Sequence, residues 1–122
     1  MEYGQTLPAP IASGDLSGNQ YYFVRYAAQD VIYLASSGGA KENCGVLTNK
    51  PQNGEHATVV WFGPTMITVG SNVSANDLLM PTAGGTATTA ASGSAALARA
   101  LTAGTPGDII PCVVFPVIEL VR

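Results

Sequence analysis

Apolar and polar positions alternate in short stretches along this chain, and turn residues interrupt them at close intervals. Gln20-Tyr21-Tyr22-Phe23-Val24-Arg25-Tyr26 has the aromatic and β-branched content of a strand, and Asp30-Val31-Ile32-Tyr33-Leu34 reads as its hairpin partner. Thr65-Met66-Ile67-Thr68-Val69 alternates between the breaks Gly63-Pro64 and Gly70-Ser71-Asn72, which predicts a further strand. The run from Ile109 to Val121 is strongly apolar and β-forming. Its Pro111 and Pro116 are expected at edges or bulges, because proline donates nothing to a ladder. The pattern predicts a mainly β fold, a small β-barrel or β-sandwich of short strands with at most one short helix.

One unit occurs twice. Cys44-Gly45-Val46-Leu47-Thr48 leads through Asn53-Gly54-Glu55 to Thr58-Val59-Val60-Trp61, and Arg99-Ala100-Leu101-Thr102 leads through Thr105-Pro106-Gly107-Asp108 to Cys112-Val113-Val114-Phe115. Each copy reads as strand, Gly-acid turn, strand, a duplicated hairpin. The second copy conflicts with local propensity. Ser94 to Gly104 offers a Ser N-cap, helix formers and a terminal Gly, so a short helix between Ser94 and Ala103 competes with the strand that the duplication requires. The duplication favours strand.

Residues 1–18 are rich in Pro, Gly and Ser, and Leu7-Pro8-Ala9-Pro10-Ile11 is biased to run extended. This stretch reads as an extended N-terminal arm, with 19–122 as a single β domain. An extended segment of this kind adds to an exposed sheet edge through main-chain hydrogen bonds, which makes Leu7, Pro8, Ala9, Pro10 and Ile11 the candidate residues for binding a partner surface or a neighbouring subunit. Thr82 to Ala96 is nearly all Ala, Gly, Ser and Thr, with little apolar area to bury, and is expected as a loop or a weakly held edge.

At 122 residues the chain fits one domain with a modest core. Charged residues are only 11%, far below the level usual for a soluble domain, and a surface so poor in charge is best explained if much of it is covered by neighbours. Self-association is therefore expected, with a trimer as the closed form. The net charge of −3 and the scatter of the basic residues Arg25, Lys41, Lys50, Arg99 and Arg122 argue against nucleic acid as a partner. No apolar run approaches the about 20 residues that span a bilayer, and Met1-Glu2-Tyr3-Gly4-Gln5 has no signal-peptide character, so synthesis in a cytoplasm is expected. Cys44 and Cys112 read as buried thiols in that compartment, a disulfide being the alternative.

The sequence points to no catalytic, cofactor or metal site. His56 is the only histidine and follows a Gly-Glu turn, which makes it a solvated side chain. Asp15, Glu55, Asp77 and Asp108 each adjoin a turn and read as separate turn-formers, not as an acid/base pair. Neither a Gly-x-Ser-x-Gly elbow nor a phosphate-binding Gly-x-x-x-x-Gly-Lys is present. Trp61 and Phe62 adjoin and must point to opposite faces of their strand. Tyr21, Tyr22, Phe23 and Tyr26 have the composition of a carbohydrate platform, though cross-strand packing is the commoner use.

Taken in order, Gly14-Asp15-Leu16-Ser17, Gln20-Tyr21-Tyr22-Phe23-Val24, Gly45-Val46-Leu47-Thr48-Asn49-Lys50-Pro51, Gly54-Glu55, Val73-Ser74-Ala75-Asn76-Asp77-Leu78-Leu79 and Gly107-Asp108-Ile109-Ile110 give the chain a resemblance. It resembles the small capsid cement, or decoration, proteins of tailed bacteriophages. Asn76-Asp77 stands where such proteins more often have Gly-Asp, and Asn suits the same turn because it tolerates left-handed backbone angles. The resemblance implies a non-enzymatic virion protein, made in the bacterial cytoplasm, that binds the major capsid protein on the outer face of an assembled capsid, commonly as trimers. A carbohydrate-binding module on the virion surface and a tail or fibre component are the alternative readings, and an enzyme is the least supported.

Overall fold

The computed structural model describes residues 5–6, 10–27, 31–34, 43–82, 84–90 and 96–115. Its strands are β1 (Gln5–Thr6), β2 (Ile11–Ala12), β3 (Phe23–Ala27), β4 (Val31–Leu34), β5 (Asn43–Leu47), β6 (Val59–Thr68), β7 (Leu78–Pro81), β8 (Ala87–Thr89), β9 (Ala98–Ala100) and β10 (Ile109–Val114). They form one mainly antiparallel sheet in the order β2-β4-β3-β5-β6-β10-β9-β7-β8, with β1 also on β6. The fold is mainly β, as the alternation predicts, and no helix occurs among the described residues. The strand path is open. Single-residue bridges, Ile11 with His56 and Val69 with Ala87, and backbone bonds beside them tie its two ends back.

A repeated turn organises this sheet. Backbone hydrogen bonds close four turns of the same kind: Tyr22 N–H to Asn19 C=O at 3.1 Å, Glu55 to Gln52 at 3.0 Å, Asp77 to Ser74 at 3.1 Å and Asp108 to Thr105 at 2.9 Å. In each the third residue has a positive φ, at 67° for Tyr21, 84° for Gly54, 71° for Asn76 and 92° for Gly107, while the second does not. That is the type II pattern, for which Pro106 supplies the preferred residue at the second position. In three of the turns the closing acid also caps the first residue. Glu55 Oε1 accepts from the Gln52 N–H at 2.7 Å, Asp77 Oδ2 from Ser74 at 2.9 Å and Asp108 Oδ2 from Thr105 at 2.9 Å.

Each turn then grips one residue of another segment. The N–H of its third residue donates to that residue's carbonyl, and its fourth residue's carbonyl accepts that residue's N–H. Tyr21 and Tyr22 hold Leu47 in this way (2.6 and 2.9 Å), Gly54 and Glu55 hold Ala12 (3.0 and 2.9 Å), Asn76 and Asp77 hold Ala100 (2.8 and 2.9 Å), and Gly107 and Asp108 hold Val69 (2.8 and 2.9 Å). All four gripped residues are buried. The strand that leaves each turn continues in the same register, as Phe23 opposite Val46, His56 opposite Ile11, Leu78 opposite Arg99 and Ile109 opposite Thr68.

The grips are reciprocal. Leu47 leads into the turn that holds Ala12, and Ala12 leads into the turn that holds Leu47; Val69 and Ala100 stand in the same relation in the second half. Between the paired turns, Leu16 donates to the Pro51 carbonyl at 2.9 Å, and Val73 and Gly104 exchange both backbone bonds at 3.0 and 3.1 Å. The chain is thus two lobes, each made of two interlocked turn-and-strand units. Backbone groups that burial would otherwise strand are paired by this arrangement.

Each lobe has its own core. Ala12, Leu16, Val24, Ile32, Leu47, Ala57 and Val59 fill the N-terminal lobe. The larger C-terminal core contains Ile67, Val69, Leu79, Leu97, Ala100, Ile110, Cys112 and Val114, together with Phe23, Val46 and Val60 from the first lobe. β6 crosses between them, pairing with β5 through Val59-Val60 and with β10 from Gly63 to Thr68. Gly63-Pro64 does not end a strand here. Gly63, at φ 112°, marks the place where a continuous strand changes partners.

Of three further expectations, two are corrected and one holds. Part of the stretch taken as an arm belongs to the domain: Pro10, Ala12 and Leu16 are buried, β2 runs parallel to β4, and the Ala57 N–H donates to the Pro10 carbonyl at 2.9 Å. Proline was compatible with this because only its carbonyl is used. The boundary between 18 and 19 therefore does not separate arm from domain. Second, the described part of 94–103 contains β9, the strand that the duplication favours, because pairing with both β7 and β10 outweighs the helix propensity of its alanines. Third, Pro111 lies in a central strand. Its carbonyl accepts from the Leu101 N–H at 3.0 Å, so its nitrogen faces the position just past the end of β9, where no ladder bond is lost.

Glycine substitutions test this scheme. Gly107→Ala has open space around it, so its cost should come from the positive φ alone, about 1–2 kcal/mol. Gly45→Ala should cost about 3 kcal/mol, since the new Cβ falls on the Val60 carbonyl. Gly18→Ala, open and without positive φ, should change stability by less than about 0.5 kcal/mol. Urea unfolding of the three variants gives the ranking directly.

Candidate functional site

Among the described residues, the carboxylates of Asp15, Glu55, Asp77 and Asp108 are engaged in structure. Asp15 Oδ1 accepts from the Ser17 N–H at 3.0 Å, and the carboxylates of Glu55, Asp77 and Asp108 cap their turns as described. Hydrogen bonds from Ser17 hold the Asp15 carboxyl below its ordinary range, and those from the Thr105 N–H and hydroxyl do the same for Asp108. Among the described residues no group of three or more His, Cys, Asp or Glu stands together. His56 is exposed, its carbonyl accepting from Asn49 Nδ2 at 3.0 Å. Cys112 is a free, buried thiol whose pKa burial pushes up to about 12. It packs as a small hydrophobe, while the side chain of Cys44 lies outside the description.

Of the five candidate binding residues, Leu7, Pro8 and Ala9 lie outside the described residues. Pro10 is fully buried and has nothing to offer a neighbour. Ile11 is 39% exposed and stays available. It belongs to a small outer face of the N-terminal lobe. Ala12 and Ile32 point inward, so their neighbours Ile11 and Val31 point outward, followed along β4 by Tyr33. Arg25, opposite Tyr33 in the ladder, lays its guanidinium over the Tyr33 ring at 5.1 Å from the centroid.

The aromatic residues Trp61 and Phe62 do not separate onto opposite faces as the alternation predicts, because their rings lie against each other. Phe62 is half exposed and Trp61 is partly buried, the two rings lying 6.1 Å apart with a 41° tilt. Phe23 is fully buried, which removes it from any carbohydrate platform; the side chain of Tyr26 lies outside the description.

The larger exposed surface is one that the sequence reading missed. On the outside of the C-terminal lobe, ladder partners place Met66 beside Pro111, Pro64 beside Val113, Val113 beside Arg99 and Arg99 beside Leu78. Ile109 and Leu101, at 50% and 47% exposure, extend the same face. Arg99 is its one charge, and it forms no ion pair among the described residues. The alternation along β10, exposed at Ile109 and Pro111 and buried at Ile110 and Cys112, carried the signal. It was obscured because apolar residues occupy both sides of that strand.

No known family pattern matches the chain, and no curated protein matches it either. Among solved structures, the chain is similar to the N base of head fiber gp8.5 of bacteriophage phi29, with a TM-score of 0.73 and 16% identity over 94% of this chain and 99% of that one. At that identity the likeness is one of fold.

Two outcomes follow from the site chemistry. Carboxyls held low in the folded state add stability that is present above their unfolded pKa, near 4, and is lost as pH falls through the folded value. Stability should therefore be flat from neutral pH to about pH 4 and decline below it, and Asp15→Asn with Asp108→Asn should flatten that decline. Thermal midpoints across an acid series read this. Separately, Cys112 should resist iodoacetamide in the native protein at pH 8 and react once urea unfolds it, as peptide mass spectrometry would show.

Proposed function

We propose that this chain is a non-enzymatic structural component of a bacteriophage virion, bound to the outer surface of the assembled capsid and stabilising the shell. The observation that carries the reading is the shared fold with the phi29 head fiber base across nearly the full length of both chains. The low charge, the capped turns and the resemblance of the ordered turn motifs to phage cement proteins support it. Stabilisation would arise by linkage: a protein that binds the assembled lattice but not the separated subunits shifts the balance toward the lattice. Many weak contacts suffice, because engaging two neighbouring capsid subunits makes the second contact effectively intramolecular.

We assign the shell contact to the N-terminal lobe, on the face formed by Ile11, Val31 and Tyr33. This retains the exposed end of the segment that the sequence nominated. The fold likeness also favours a second reading, in which the chain is the capsid-attached base of a head fibre. The two differ in number. A cement protein should approach the copy number of the major capsid protein, whereas a fibre base should occupy a small, fixed subset of capsid sites.

Purified protein added to particles that lack it should co-sediment with them and raise their resistance to heat, and quantitative mass spectrometry of the washed particles would give the copy number. Ile11→Glu and Tyr33→Glu should lower occupancy roughly tenfold at an unchanged unfolding midpoint. Failure of the wild-type protein to co-sediment would remove the capsid reading. Full occupancy by both variants would move the contact elsewhere.

A further inference from the structure

The two lobes are equivalent in register, and this equivalence exposes a surface that one of them uses and the other leaves bare. In the N-terminal lobe, Phe23 stands opposite Val46 and Val46 opposite Val60. This cross-strand row points away from its own lobe's core and is buried in the core of the C-terminal lobe, at 0%, 0% and 5% exposure. It is the docking row through which the first lobe packs on the second. The Phe23 N–H donating to the Gly85 carbonyl at 2.7 Å, and the Thr68 N–H donating to the Tyr21 carbonyl at 2.7 Å, fix its position.

The same positions in the C-terminal lobe are Leu78, Arg99 and Val113. Leu78 follows the turn Ser74–Asp77 as Phe23 follows Asn19–Tyr22, and Arg99 precedes the gripped Ala100 as Val46 precedes Leu47. Val113 adjoins Cys112, the ladder partner of Ala100, as Val60 adjoins Val59, the ladder partner of Leu47. The three again form one cross-strand row, Leu78 opposite Arg99 and Arg99 opposite Val113. Here the row faces outward, with Leu78 and Val113 half-buried and Arg99 exposed.

We propose that the Leu78–Arg99–Val113 row is a docking face for a second copy of this chain, used between chains as its counterpart is used within one. Three observations favour a second copy as the occupant. The face continues a mode of packing that this sequence already employs between its own lobes. Its one charge, Arg99, forms no ion pair among the described residues, whereas the chain carries eight acidic residues against five basic ones and can supply a carboxylate from another copy. The contiguous apolar positions around it, Met66, Pro64, Pro111 and Ile109, cost solubility if left in water, and a chain with 11% charged residues has little else to offset them. A closed ring covers every copy of such a face. The arrangement rests on the reading of the chain as an assembling virion component but uses the lobe opposite the proposed shell contact.

The test is the molar mass of the full chain by light scattering through a dilution series, without particles. The wild-type protein should associate. Arg99→Glu and Val113→Glu, both on the outer face, should each raise the dissociation constant roughly tenfold or more, with cooperative unfolding retained, while Lys50→Glu in the other lobe should leave it unchanged. Since Arg99 is charged, association should weaken as salt rises. A wild-type monomer at every concentration would overturn the proposal, and so would face variants that keep the wild-type mass. Co-sedimentation with particles is measured separately on the wild-type protein, so a monomer that still binds particles rejects this inference alone, whereas an oligomer that fails to bind them rejects the capsid reading.

Discussion

The backbone pair that each turn makes with a buried residue of another segment is the interaction on which this fold depends. A type II turn directs one N–H and one C=O outward side by side, and a strand residue accepts both. The pair satisfies both backbone groups of a buried residue, and leaving those unmade would cost about 1–3 kcal/mol per group. It also fixes register, since a slip by one residue would turn the gripped side chain from core to solvent. Because Ala12, Leu47, Val69 and Ala100 are all nearly or fully buried, one geometric device sets both the pairing and the inward face of every strand that follows.

How much of this was legible depended on chemistry at single positions. Gly54-Glu55 and Gly107-Asp108 advertise the turn, because glycine marks positive φ and the acid marks the cap, so the duplicated hairpin was readable. Asn76-Asp77 carries the same signal more weakly. The turn at Asn19–Tyr22 carries none: Tyr21 adopts φ 67° without any residue preference for it, and Tyr22 stands where the others have a carboxylate. Tertiary structure imposes that conformation, through the bonds of Tyr21 to Leu47 and Thr68 on either side. With the fourth turn hidden, residues 10–18 looked like an arm, and the two-lobe arrangement could not be seen.

The candidate surfaces were legible to a different degree. The absence of chemical motifs followed from composition, and the acidic residues were correctly read as turn-formers because their neighbours are turn residues. Ile11 lay within the nominated segment, but Pro10 did not belong to a binding surface, since its burial depends on a parallel pairing with β4 that no local pattern encodes. The outer face of the C-terminal lobe was hidden by the opposite difficulty. Its strands are apolar on both sides, so hydrophobicity alone does not separate the core row at Ile110 and Cys112 from the exposed row at Ile109 and Pro111.

A fold held by main-chain grips leaves its outer side chains free to differ, and the two lobes show how far. Phe23, Val46 and Val60 occupy the same register as Leu78, Arg99 and Val113, yet one row is wholly apolar and buried while the other is split by a cation and exposed. The backbone does not distinguish them; the side chains decide what each covers. The same freedom accounts for a TM-score of 0.73 at 16% identity with a phage head fiber base. Turn, grip and inward apolar residue recur in all four units, and each is met by several residue types, as Gly, Asn and Tyr at the positive-φ position demonstrate. This separates the part of the sequence that specifies shape from the part that is free to vary on the surface.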